Sequence, residues 1–60
     1  MDFYLNSKAQ GKTWGPFVTP MRAWRFLFYR AYTSEDVALY RGAGWSVTRS
    51  PLFEVRRARY

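Results

Sequence analysis

The chain contains no cysteine and no histidine. The first absence excludes disulfide scaffolds, thiol redox chemistry and cysteine-held metals. The second removes the side chain that most often works as a general base near neutral pH. Isoleucine is missing too, and the only carboxylate side chains are Asp2, Glu35, Asp36 and Glu54. Long hydrophobic runs are absent: no uncharged apolar stretch is longer than Phe26-Leu27-Phe28-Tyr29, far short of the ~20 residues that cross a membrane as a helix. The start, Met1-Asp2-Phe3, places an acid where a secretory signal carries Lys or Arg. The expectation is a soluble, cytoplasmic, complete small gene product with no membrane span.

What is present is aromatic area and arginine. Sixty residues make one small basic domain, residues 1–60. Such a chain buries only ~60% of the surface its unfolded form exposes. Five Phe, five Tyr and three Trp, 22% of the residues, supply the large side chains that compensate. The core is therefore expected to be aromatic, and a homodimer with Phe26 in its interface is the other way to complete it. Ten cations against four acids leave +6, and only Lys8 and Lys12 among the ten are lysine. Arginine offers a planar fork for carboxylate or phosphate and stacks on rings, which solubility alone does not require.

Along the chain, Phe3-Tyr4-Leu5 reads as a strand. Ser7 to Lys12, with Gly11, is turn material, and Thr13 to Val18 returns as a second strand that Pro16 makes an edge strand or a bulged one. Thr19-Pro20 is an N-cap followed by proline at the first helical position. It opens a main helix expected over about 20–32. On a helical wheel Trp24, Leu27, Phe28 and Ala31 share the buried stripe, while Arg22, Arg25, Phe26, Tyr29 and Arg30 face outward. Thr33 with Asp36 approximates a capping box for a second helix, which Gly42 and Gly44 end. Trp45 to Arg49 alternates as a strand with Trp45 and Val47 inward, Ser50-Pro51 turns, and Phe53 and Val55 open a last strand. The fold class is α+β: a small antiparallel sheet in the order β-β-α-α-β-β, packed against one main helix around a single aromatic-rich core.

Catalytic constellations are lacking. Glu35 and Asp36 are neighbours and point apart on a helix, where they suit its positive N-terminus. Gly-x-Ser-x-Gly does not occur. Gly11-Lys12-Thr13 falls short of a phosphate loop, because the first glycine of that motif is replaced by Asn6. The reading is no enzyme, no cofactor and no metal. The outward helix residues Arg22, Arg25, Phe26, Tyr29 and Arg30, with Arg49 and the tail Arg56, Arg57, Arg59 and Tyr60, are the candidate partner-binding surface. Arginine interleaved with rings suits an acidic protein surface or nucleic acid. The richness in rings and scarcity of lysine favour the protein.

Two stretches resemble known families. Gly11-Lys12-Thr13-Trp14-Gly15-Pro16-Phe17, between Phe3-Tyr4-Leu5 and a helix, resembles the opening of bacterial GYF-like domains. In those, Gly-x-x-x-Gly-Pro-Phe precedes a helix and an aspartate-led segment ending in Trp. Asp36, Tyr40 and Trp45 fall at corresponding places, and the resemblance implies a groove for proline-rich peptides lined by Tyr4, Trp14 and Trp45. The Arg-rich helix and basic last strand depart from that pattern. Ala43-Gly44-Trp45-Ser46-Val47-Thr48-Arg49, after a helix, resembles a strand of the small inhibitors of bacterial RNA polymerase from short-tailed coliphages. That resemblance implies a phage or mobile-element protein that binds one host machine, with Arg49 as the one carried-over contact residue.

The expected function is thus a non-enzymatic binding module, a regulator or inhibitor that occupies an acidic face of a nucleic-acid-handling protein. Direct DNA or RNA binding and proline-rich-peptide binding are the alternatives.

Overall fold

The computed structural model describes residues 2–29 and 31–57. Its elements are β1 (Phe3–Ser7), β2 (Lys12–Phe17), α1 (Pro20–Phe28), α2 (Ser34–Gly42), β3 (Trp45–Thr48) and β4 (Glu54–Arg57). The fold is α+β, with one four-stranded sheet in the order β3-β1-β2-β4. β1 pairs antiparallel with both β2 and β3, but β2 and β4 run parallel. The sheet is therefore mixed rather than antiparallel. The reason is the short segment 49–53. It leaves β3 at the Tyr4 end of the sheet and recrosses to start β4 beside Lys12.

Proline in β2 is accommodated by a bulge, since β2 lies inside the sheet. Phe3 pairs with Phe17 and Leu5 with Trp14, so Gly15 and Pro16 together oppose Tyr4, across a cis Gly15–Pro16 peptide. Gly15 sits at φ 149°, and a Cβ there would stand 2.8 Å from Tyr4 Cδ1. Only glycine lets the tyrosine ring lie against the backbone at this point.

The sheet has two unlike faces. Paired residues share a face, so Leu5, Trp14 and Val47 lie together under α1, while Asn6, Thr13 and Ser46 point the other way. Leu5, Phe17, Ala23 and Trp24 are the buried apolar centre of the helix side. Rings continue outward from it: Phe28 stacks on Tyr32 with centroids 5.2 Å apart and meets Tyr40 edge-on at 4.8 Å. The core is aromatic, as the composition required.

The far face is polar and just as dry. Asn6 and Thr13 are completely buried. The Asn6 amide nitrogen donates to Thr48 Oγ1 at 2.9 Å and to Ser46 Oγ at 3.3 Å. Asn6 Oδ1 accepts from Thr13 Oγ1 at 2.6 Å and from the Leu52 N–H at 3.2 Å. Thr13 Oγ1 in turn accepts from the Phe53 N–H at 3.1 Å. The recrossing segment thus has two of its backbone donors satisfied by side chains of β1 and β2, and among the described residues no buried side-chain polar atom lacks a partner.

Both helix starts match the capping chemistry. Thr19 accepts from the Arg22 N–H, and Thr33 and Asp36 form a reciprocal capping box. The main helix is shorter than the wheel implied, ending at Phe28 rather than near 32. Tyr29 adopts the left-handed conformation (φ 61°, ψ 15°) and donates its N–H to the Arg25 carbonyl at 2.8 Å. Beyond this turn Phe28 meets both Tyr32 and Tyr40, and the Tyr40 contact is one that helical periodicity does not encode. Ala31 consequently leaves the buried stripe and is exposed.

Removing the Asn6 carboxamide strands partners on β2, β3 and the recrossing segment. Asn6→Ala is expected to destabilise the fold by about 2–4 kcal/mol, read by urea unfolding, whereas Lys8→Ala at an exposed position should stay within about 0.5 kcal/mol of the parent.

Candidate functional site

α1 lies across the helix side of the sheet, with Ala23 and Trp24 buried against it. Phe26 falls on one flank of this buried stripe and Arg25 on the other. The two flanks open onto different depressions. On the Phe26 flank a cavity of about 210 Å³ is lined by Leu5, Gln10, Trp14, Phe26, Leu27, Tyr29 and Trp45. On the Arg25 flank a depression of about 380 Å³ is lined by Met21, Arg25, Ala31 and Tyr32. The outward face of the helix is therefore not one surface.

The first cavity is built by rings holding rings. Trp14 on β2 and Trp45 on β3 stack at 5.7 Å with planes 20° apart. They meet across β1, where the intervening Ser7 is small and buried. Phe26 is half-buried rather than bare, because it packs on Phe17 at 5.4 Å. Tyr29 is the exception. Its ring touches Phe26 at 6.4 Å yet remains 85% exposed at the cavity mouth. A bulky residue at positive φ is strained, and the ordinary choice at a helix end of this shape is glycine. The fold holds an open aromatic ring where a smaller residue would be more comfortable.

The cations do not form one cluster at this groove. The parallel β2–β4 register puts Arg56 beside Trp14 and Arg57 beside Gly15. Strand alternation then sends Arg56 to the groove side of the sheet and Arg57 to the other. Arg22 is exposed in the first turn of α1. Arg49 lies over the Phe3 ring, 5.7 Å from its centre, and Arg41, not among the expected site residues, lies over Trp24 at 5.8 Å. Of the expected partner-binding residues, Phe26 and Tyr29 line the groove and Arg56 sits beside it. Arg25, Arg49 and Arg57 do not converge there. Arg30, Arg59 and Tyr60 lie outside the described residues. Of the three expected to line a peptide groove, Trp14 and Trp45 are together, but Tyr4 lies on the opposite face of the sheet.

Leu5, Gln10 and Leu27 were missed as groove residues, since a pocket wall shared by a strand, a turn and a helix has no linear signature. The early helix end did have one: the Thr33 cap leaves little room for helix beyond Phe28. The carboxylates are structural where their roles are seen, Asp36 closing the α2 cap. Among the described residues no group of three or more His, Cys, Asp or Glu is placed to hold a metal ion, and no helix is long and apolar enough to cross a membrane.

Compared with family models, curated proteins and solved structures, the chain finds no match, so the resemblances at Gly11–Phe17 and Ala43–Arg49 rest on those short stretches alone.

Proposed function

We propose that the chain is a non-enzymatic binding module that regulates or inhibits a partner protein by occupying an acidic face of it. The Phe26–Tyr29–Trp14–Trp45 groove receives an apolar anchor side chain, and Arg56 and Arg22 meet the surrounding acids. The observation that carries this reading is Tyr29: an 85% exposed ring at the groove mouth, held at φ 61°. The left-handed turn itself ends α1, but a ring left this open at a position that favours glycine has its rationale in recognition.

The alternative of direct nucleic-acid binding is less well supported by the ring geometry. Base stacking uses open ring faces. Here the faces of Trp14 and Trp45 cover each other, and Phe28 and Tyr32 do the same. The open ring of the groove is Tyr29, at the mouth of an apolar hollow of about 210 Å³, which suits a side chain better than a run of stacked bases. A nucleic-acid-handling partner is the natural source of an acidic face shaped to receive arginines, in line with the local resemblance at Ala43–Arg49.

Tyr29→Gly separates stability from function. It should raise the unfolding free energy by about 1 kcal/mol, because glycine adopts the left-handed conformation without strain. In the same variant, affinity for a retained partner should fall at least about tenfold. The first effect is read by urea unfolding and the second by retention of host proteins on the immobilised chain at equal loading. A chain that instead retains DNA or RNA, with affinity collapsing between about 50 and 200 mM salt and unchanged by Tyr29→Gly, would sink the proposal.

A further inference from the structure

The sheet has two outer strands, and they differ. β3 is half-buried along its length and is packed by α2. Among the described residues β4 is the last strand on the other side, paired through β2 alone, and all four of its residues are exposed. The outer side of such a strand offers backbone N–H and C=O groups to an extended chain. We infer that this edge takes an extended acidic segment of the partner as a fifth strand, which rests on the acidic protein target proposed above and specifies the shape in which that target is bound.

The charge order along β4 argues for this occupant. Glu54 is its single acid, and Arg56 and Arg57 follow in succession. Alternation sends these two guanidiniums to opposite faces, so an added strand meets a positive charge on each face at consecutive positions. Val55, 41% exposed, shares its face with Arg57. For an antiparallel strand the complementary order is two adjacent acids, opposite Arg57 and then Arg56, followed by an apolar residue opposite Val55. A second copy of the chain is a poorer occupant, because edge-to-edge pairing brings two bodies of net charge +6 together. The arginines that oppose self-pairing are the same ones that admit an acidic strand.

The probe is the capped peptide Ser-Thr-Glu-Glu-Val-Thr-Val, added to the full chain while amide exchange is followed by NMR. At about 1 mM peptide the outward amides of β4 should exchange at least about fivefold more slowly. A peptide N-methylated at alternate residues should lose the effect, as should the exposed double variant Arg56→Glu, Arg57→Glu with the unmodified peptide. The inference is overturned by full activity of the N-methylated peptide, by absence of protection, or by shifts confined to the groove around Tyr29. It is equally overturned if β4 becomes protected without peptide as protein concentration rises, which assigns the edge to a second copy. The retention assay with Tyr29→Gly reads the groove and amide exchange reads the edge, so each reading fails by its own result.

Discussion

A single buried carboxamide holds the unusual part of this sheet together. Asn6 sits on β1, the strand between β3 and β2, and its two ends face different neighbours, β3 through its nitrogen and β2 and the recrossing segment through its oxygen. A backbone crossing a sheet face must find partners for its polar groups, or the burial is prohibitive. Asn6 and Thr13 supply acceptors to Leu52 and Phe53 at the point of crossing. An apolar pair at these positions would fill the space but leave those donors stranded. The parallel placement of β4, and with it the position of Arg56 beside Trp14, follows from this network.

The two faces of the sheet divide the work. The polar face fixes strand order through directional bonds, and the helix face supplies apolar area through rings. Four residues form the buried apolar centre, Leu5, Phe17, Ala23 and Trp24, which is little for an independently stable chain. The half-buried rings around them extend that core to the surface, where tilted and stacked contacts add to burial. Rings that reach the surface this way do two things at once: their inner edges pack and their outer edges line the groove. The structure therefore has no sharp border between core and candidate site.

Arginine is distributed in a way that composition alone does not reveal. Arg41 and Arg49 lie over rings of the chain itself, where a guanidinium covers apolar surface while staying hydrated. Part of the +6 is thus engaged with the protein's own aromatic surface. Arg22, Arg56 and Arg57 remain exposed, and the last two lie on the open strand. The concentration of charge and open backbone on one side of the molecule gives that side its distinct character.

Much of the local structure was legible in the residues. Thr19-Pro20 and Thr33 with Asp36 placed both helix starts, because capping is satisfied within a few residues of chain, and α2 ends close to the expected glycines, with Gly42 still helical and Gly44 at φ 98° just beyond the Ala43 cap. The alternation from Trp45 to Thr48, and the aromatic nature of the core, were legible for the same reason: they depend on side-chain type and short spacing. The direction of β4, the meeting of Trp14 with Trp45, the split of the α1 outer face and the exile of Tyr4 to the other side of the sheet were decided only in three dimensions. Each depends on which strand lies next to which. That choice is made by hydrogen bonds between residues some forty positions apart in the chain, a separation over which no periodic pattern carries information.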